Sequence, residues 1–166
     1  VGYGTLFGLS ITIWITLFCI LLIYIFINLT KMGRYFYAIG GNLRAAELSG
    51  INTKLYIVSA YVFSALVTSI AALLITARLE TGEPNIGANY PLLSIAACAI
   101  GGVSLLGGVG RVQNVVLGAF FIILIQNGMN LMRIGSYLQM VVIGILLIVA
   151  IGAEYFRQQI LSQAKN

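Results

Sequence analysis

The sequence predicts an all-α integral membrane protein with about five transmembrane helices and a short helix in a cytoplasmic loop. Of its 166 residues, 60% are hydrophobic and 8% are charged, whereas about a quarter of the residues of a soluble domain are charged. The charges are also clustered, so they leave uncharged runs of roughly 20 residues, the length that crosses a hydrocarbon core. Lipid is therefore the expected solvent of most of this surface.

Five uncharged apolar runs divide the chain into candidate spans. The runs cover residues 9–29, 55–77, 91–110, 112–132 and 134–153. Two connections are long: residues 30–54 are polar and glycine-containing, and residues 78–90 carry Glu80, Glu83 and Pro84 in a pattern typical of a loop.

The third run differs from the others because it contains five glycines between Gly101 and Gly110. Each glycine costs the interior of a helix about 1 kcal/mol relative to alanine. The run is expected to cross the membrane with a broken or unwound end, the alternative being a re-entrant hairpin. Irregular backbone at membrane depth is tolerated where it is buried in protein or lines a water-filled cavity. The glycine segment is thus a candidate lining of a pathway, or else a site of close helix packing.

The loop of residues 30–54 contains a short helix signal. Asn42 is a suitable N-cap, residues 43–49 favour a helix, and Gly50 stands where a glycine ends one. A helix of about two turns is too short to be stable alone. We therefore expect it to dock on other parts of the protein or on a partner, or to rest on lipid headgroups; Arg44 and Glu47 have the spacing of a helical ion pair.

The basic residues predict an orientation, because Lys and Arg concentrate on the cytoplasmic side of bacterial membrane proteins. If all five runs cross, one side receives Lys31, Arg34, Arg44, Lys54, Arg111, Arg157 and Lys165, and the other side receives Arg78 and Arg133. The loop of residues 30–54 and the C-terminus are thus expected to be cytoplasmic. The chain begins with Val1 and is expected to be part of a longer polypeptide.

Enzymatic and metal chemistry lack their usual side chains in this sequence. It has no His, and its four acidic residues are all glutamates, so a Ser-His-Asp triad and a His-rich metal site cannot be assembled. The basic residues form no cluster suited to nucleic acid. We expect no catalytic residue, no metal, no cofactor and no nucleic-acid partner.

Neutral polar residues are the candidates for contacts with a solute. The runs contain no Asp, Glu, His, Lys or Arg, and ion-coupled carriers usually need such residues within the membrane. Amides and hydroxyls, in contrast, suit a neutral polyol. Gln126 and Asn130 are four residues apart and share one face of a helix. The candidate pathway residues are Ser94, Gly101, Gly102, Ser104, Gly107, Gly108, Gln126, Asn127 and Asn130. The alternative role of the polar ones is hydrogen bonding between helices.

Several spaced motifs resemble the permease subunits of ATP-binding cassette importers for ribose, xylose, galactosides and related solutes. They are Gly33-Arg34, Tyr37-Ala38-Ile39-Gly40-Gly41-Asn42, Ala45-Ala46, Leu48-Ser49-Gly50-Ile51, Gly101-Gly102-x-Ser104-Leu105-x-Gly107-Gly108-x-Gly110-Arg111, Gly118-Ala119 and Asn127-Gly128-x-Asn130-Leu131. They run in one order from about residue 32 to residue 151.

This resemblance implies a single transmembrane permease domain over residues 1–166, the C-terminal half of a longer permease, in the bacterial cytoplasmic membrane. Residues 30–54 would form a cytoplasmic coupling loop that docks on an ATPase subunit. Its coupling residues would be Asn42, Arg44, Ala45, Ala46, Glu47 and Gly50. The implied partners are that ATPase, a second permease subunit, an extracellular or periplasmic solute-binding protein, the lipid bilayer and a small solute.

Three alternatives stay open at this stage. The chain could be a structural or truncated subunit without transport activity, or a passive channel for small neutral solutes. It could also carry a related solute, such as a furanosyl signalling molecule, a nucleoside or a branched-chain amino acid. The lack of a Gly-x-x-x-x-Gly-Lys-Ser/Thr phosphate loop indicates that ATP hydrolysis would belong to a separate subunit.

Overall fold

The computed structural model describes residues 5–6, 8–82, 85 and 87–163 and is built almost wholly of helices. A hairpin of two-residue strands, β1 (Thr5–Leu6) and β2 (Leu9–Ser10), precedes seven helices within this part of the chain. The helices are α1 (Ile11–Leu29), α2 (Lys31–Gly41), α3 (Leu43–Leu48), α4 (Thr53–Leu79), α5 (Tyr90–Ile100), α6 (Val112–Leu131) and α7 (Ser136–Gln163). The predicted all-α fold is confirmed.

Four helical segments are long and apolar enough to cross a membrane: Ile11–Leu29, Thr53–Leu79, Val112–Leu131 and Ser136–Ala153. They match four of the five predicted runs within a few residues. The third run forms the shorter helix α5, which has 11 residues and a length of about 16 Å, roughly half of a 30 Å hydrocarbon core.

The chain divides into two compact units, Val1–Asn85 and Ile86–Asn166. The first contains the strand hairpin and α1 to α4, in which α2 packs against α1, α3 and α4. Phe26 of α1 stacks on Phe63 of α4 with 4.4 Å between ring centroids, and Tyr35 of α2 meets the edge of Tyr56 of α4 at 4.9 Å.

Helix α2 was not predicted from the sequence, which indicated only one short helix within the polar, glycine-containing connection of residues 30–54. The Thr30 side chain accepts a hydrogen bond from the Gly33 N–H at 3.3 Å and caps the start of this helix. Gly33 is needed there, because a Cβ atom at this position would collide with the backbone of Ile27. The local cap and the aromatic contacts with α4 offset the weak helix propensity of the glycines.

The second unit contains α5, α6 and α7, with α5 packed against both of the longer helices. Its core is formed by Ala96, Ala97, Ile122 and Ile143. A Cβ atom on Gly101 would lie 2.6 Å from the Asn114 carbonyl oxygen, and one on Gly118 would collide with the Ala97 carbonyl. Residue 97 therefore faces residue 118 while residue 101 faces residue 114, so α5 and α6 run antiparallel at a distance that only small residues allow.

The turn between α6 and α7 holds a strained residue. Arg133 has a φ of 55°, and the N–H groups of Arg133 and Ile134 bond to the carbonyls of Asn130 and Met129, both at 3.0 Å. This is the Schellman arrangement, in which glycine is the preferred residue at the left-handed position. A side chain in that conformation costs roughly 1–2 kcal/mol.

We expect Arg133→Gly to stabilise the protein, because it removes this strain while it keeps the cap. The greater conformational entropy of glycine in the unfolded chain offsets part of this stabilisation. We therefore expect the melting temperature in detergent to rise by only a few degrees. Gly50→Ala is the opposite exchange at the equivalent position of another Schellman cap, where φ is 80° and no atom would contact the new Cβ. It should lower the melting temperature; a fall for Arg133→Gly would contradict the prediction.

Candidate functional site

The predicted loop helix is present as α3, and both of its ends are capped. The Asn42 side-chain oxygen accepts a hydrogen bond from the Ala45 N–H at 3.0 Å. At the other end, the N–H groups of Gly50 and Ile51 bond to the carbonyls of Glu47 and Ala46 at 2.9 and 3.2 Å, with Gly50 in the left-handed conformation. Asn42 and Gly50 thus terminate the helix as the sequence predicted.

Helix α3 is held against its neighbours by one small side chain and one hydrogen bond. Ala46 is 4% exposed, and α3 contacts both α2 and α4. The Glu47 carboxylate accepts a hydrogen bond from the Thr53 hydroxyl at 3.2 Å, and Thr53, the first residue of α4, is itself buried. Among the described residues no ion pair joins Glu47 to Arg44. The partner of Glu47 is Thr53, which the spacing of Arg44 and Glu47 did not indicate.

Two leucine side chains of α3 are exposed, because no other described part of the chain packs over them. Leu48 is 84% exposed and Leu43 is also exposed, as are Arg44 and Ala45. Leucine side chains on so short a helix are an available contact surface for lipid or for another protein. All six residues predicted for coupling lie on α3 or at its two ends. Ala46 is buried where α3 meets its neighbours, whereas Arg44 and Ala45 are exposed.

The glycine segment ends α5 and turns the chain towards α6. Gly102 has a φ of 70°, and the N–H groups of Gly102 and Val103 bond to the carbonyls of Ala99 and Cys98, both at 3.0 Å. This Schellman cap explains the predicted break at Gly101. The turn that follows contains Gly107 and Gly108, both with positive φ, and the N–H of the buried Ser104 bonds to the Val109 carbonyl at 2.9 Å.

A cleft lies at the other end of α5, between the start of α5, the later part of α6 and the start of α7. It has a volume of about 170 Å³. It is lined by Asn89, Leu92, Leu93, Gln126, Ser136, Gln139, Met140 and Ile143. The Gln139 side-chain nitrogen donates to the Asn130 side-chain oxygen at 2.8 Å and to the Ile134 carbonyl at 2.9 Å.

The structure does not bring the predicted pathway residues together in one site. Gln126 and Asn130 lie at or beside the cleft, whereas the glycines and Ser104 lie at the opposite end of α5. Ser94 is exposed and donates to the carbonyl of Pro91, and Asn127 is exposed outside the lining. The cleft residues Asn89, Ser136 and Gln139 were not predicted as site residues, since their relation to Gln126 arises from contacts between helices.

The fold and these sites define a multi-pass helical membrane protein with a docked loop helix and an uncharged cleft. The chain belongs to the family described as branched-chain amino acid transport system / permease component, whose model matches residues 3–151. Members of this family are transport permeases and not enzymes. The expected relationship to importer permeases is thereby confirmed.

Several relatives are named as pentose permeases. The chain is 38% identical over 161 residues to the L-arabinose transport system permease protein of Escherichia coli K12, covering 95% of this chain and 48% of that protein. It is 37% identical to the ribose import permease protein of Haemophilus influenzae, with 94% and 48% covered. It is 44% identical over 122 residues to the xylose transport system permease protein of E. coli K12, with 74% and 31% covered. The chain thus spans about half the length of the first two relatives, and no solved structure matches it.

Proposed function

We propose that this chain is the membrane-spanning permease part of an ATP-binding cassette importer for a small neutral solute, a monosaccharide such as the pentose ribose. The docked, doubly capped helix α3 with its uncovered leucines carries the proposal, because a separate ATPase needs such a firm contact to move the membrane helices. The names of the relatives support the solute class, since three of them refer to pentoses.

The proposal includes an orientation and a set of partners. The loop of residues 30–54 and the C-terminus lie in the cytoplasm of a bacterial cell, in accord with the distribution of Lys and Arg. The partners are an ATPase subunit at α3, a second permease subunit, and a solute-binding protein on the other side of the membrane. ATP hydrolysis on the ATPase drives the change between outward-open and inward-open states.

A branched-chain amino acid is the second candidate solute, because the family description names that class. The lining of the cleft argues against it, since none of the eight side chains can be ionised. An amino acid carries both an ammonium and a carboxylate, and charges removed from water need partners. A sugar makes no such demand.

Copurification of the ATPase tests the proposal. We expect Leu48→Asp to reduce recovery of the ATPase with the permease at least fivefold, since a carboxylate would be placed in an apolar contact. Leu131→Asp is the matched control, because Leu131 is 86% exposed at the end of α6 and far along the chain from α3. Equal ATPase recovery for the two variants would contradict the proposed role of α3.

A further inference from the structure

The cleft beside α5 has room for one small molecule. Its volume is about 170 Å³. Pockets for drug-sized ligands are larger, about 300–1,000 Å³. A ligand here is therefore small and incompletely enclosed, which favours weak and readily reversible binding.

The lining combines four polar with four apolar side chains. Asn89, Gln126, Ser136 and Gln139 supply amides and a hydroxyl. The apolar side chains are Leu92, Leu93, Met140 and Ile143, of which Leu93 and Ile143 also belong to the core region of this unit. A few polar groups placed over an apolar surface are the usual design of a small-molecule site, and the uncharged lining selects a neutral ligand.

Gln126 is a donor and acceptor available to such a ligand. It lies five residues before the last residue of α6, hence about 7–8 Å inside the end of the helix. In the part of the chain that the structure describes, its amide has no hydrogen-bond partner, and it borders the cleft. Gln126 is half-buried, and no described side chain has a buried polar atom without a partner. Its amide is therefore reached by water, which a ligand hydroxyl can replace.

Gln139 is oriented by its own hydrogen bonds. Its amide nitrogen donates to Asn130 and to the Ile134 carbonyl, which uses both of the amide hydrogens. The carbonyl oxygen is left as an acceptor in a fixed orientation. Asn130 acts through Gln139 and is therefore a positioning residue, not a ligand contact.

We propose that this cleft receives one molecule of a neutral, polyhydroxylated solute, with the Gln126 amide and the Gln139 carbonyl as its hydrogen-bonding groups. The hydroxyls of the solute face the two glutamines, and its C–H groups face the apolar side chains of the lining. The inference rests on the proposed transport function and adds to it a place and two contact residues. The site lies at the end of α5 opposite the glycine turn.

Protection of an introduced cysteine tests this site directly. Ser136→Cys is made in the complete transporter after Cys19 and Cys98 have been replaced by alanine, and membranes opened on both sides are labelled with a maleimide. D-ribose, L-arabinose, D-xylose and L-leucine at millimolar concentration serve as probes. We expect at least one pentose to slow the labelling threefold or more and L-leucine to have no effect.

Matched variants distinguish binding from indirect effects. Gln126→Met should abolish the protection, whereas Leu124→Met, at an exposed position of the same helix outside the lining, should preserve it. Tyr137→Cys reports a position that is 88% exposed and outside the lining, and its labelling should not respond to the sugars. Failure of all three pentoses to protect, protection by L-leucine, or protection unchanged by Gln126→Met would overturn the inference. ATPase copurification and uptake by the parent transporter are measured separately, so the proposed function can stand when the cleft proposal fails.

Discussion

Replacing Gly118 with valine is expected to separate α5 from α6 and to remove most of the folded protein from the membrane. A Cβ atom at this position would collide with the carbonyl of Ala97, and a backbone atom cannot move aside as a flexible side chain can. Overpacking typically costs about 1–3 kcal/mol, and we expect this variant to exceed the upper value. Fluorescence-detected size-exclusion chromatography and a melting curve in detergent measure the effect.

Gly128→Val is the matched control for this experiment. Gly128 lies in the same helix, but no atom would contact its new Cβ within 4 Å. We expect its yield and its melting temperature to stay close to those of the parent protein. Equal behaviour of the two variants would show that the close approach of α5 and α6 does not govern stability.

Ala46→Trp is expected to reduce solute uptake more than twentyfold, while the protein still inserts into the membrane and the ATPase subunit still hydrolyses ATP. Ala46 is 4% exposed, so an indole at this position must push α3 away from α2 and α4. A helix of six residues has little stability of its own, and it would leave its place instead of compressing the longer helices. Movement of the ATPase would then no longer be transmitted to the membrane helices.

Transport and ATP hydrolysis in proteoliposomes separate this effect from simple misfolding. Ala65→Trp makes the same exchange on an exposed part of α4, and we expect it to transport normally. If Ala46→Trp took up solute as fast as Ala65→Trp, this result would contradict the proposed role of α3.

Local signals in the sequence were sufficient for the ends of helices. Asn42 and Gly50 predicted α3 because capping depends on a few consecutive residues. The five glycines from Gly101 to Gly110 predicted a break near the end of α5 because glycine weakens a helix, but not the Schellman cap that forms there. Hydrophobic run length predicted the four candidate membrane spans within a few residues, although α7 continues ten residues beyond its apolar run.

Contacts between distant residues could not be predicted in the same way. Helix α2 depends on aromatic contacts such as that between Tyr35 and Tyr56, and its glycines by themselves favour a loop. The spacing of Gln126 and Asn130 placed them on one face of a helix, but the partner Gln139 comes from the next helix. The packing role of Gly118 likewise depends on where Ala97 lies.

The shortness of α5 has a consequence for the membrane itself. An 11-residue helix is about 16 Å long, so a crossing at α5 would leave about half of a 30 Å hydrocarbon layer without helical backbone. Irregular backbone at that depth, on either side of α5, is tolerated only where protein or water covers it. A crossing at α5 would therefore require a hydrated vestibule or another protein surface in place of lipid on part of the path.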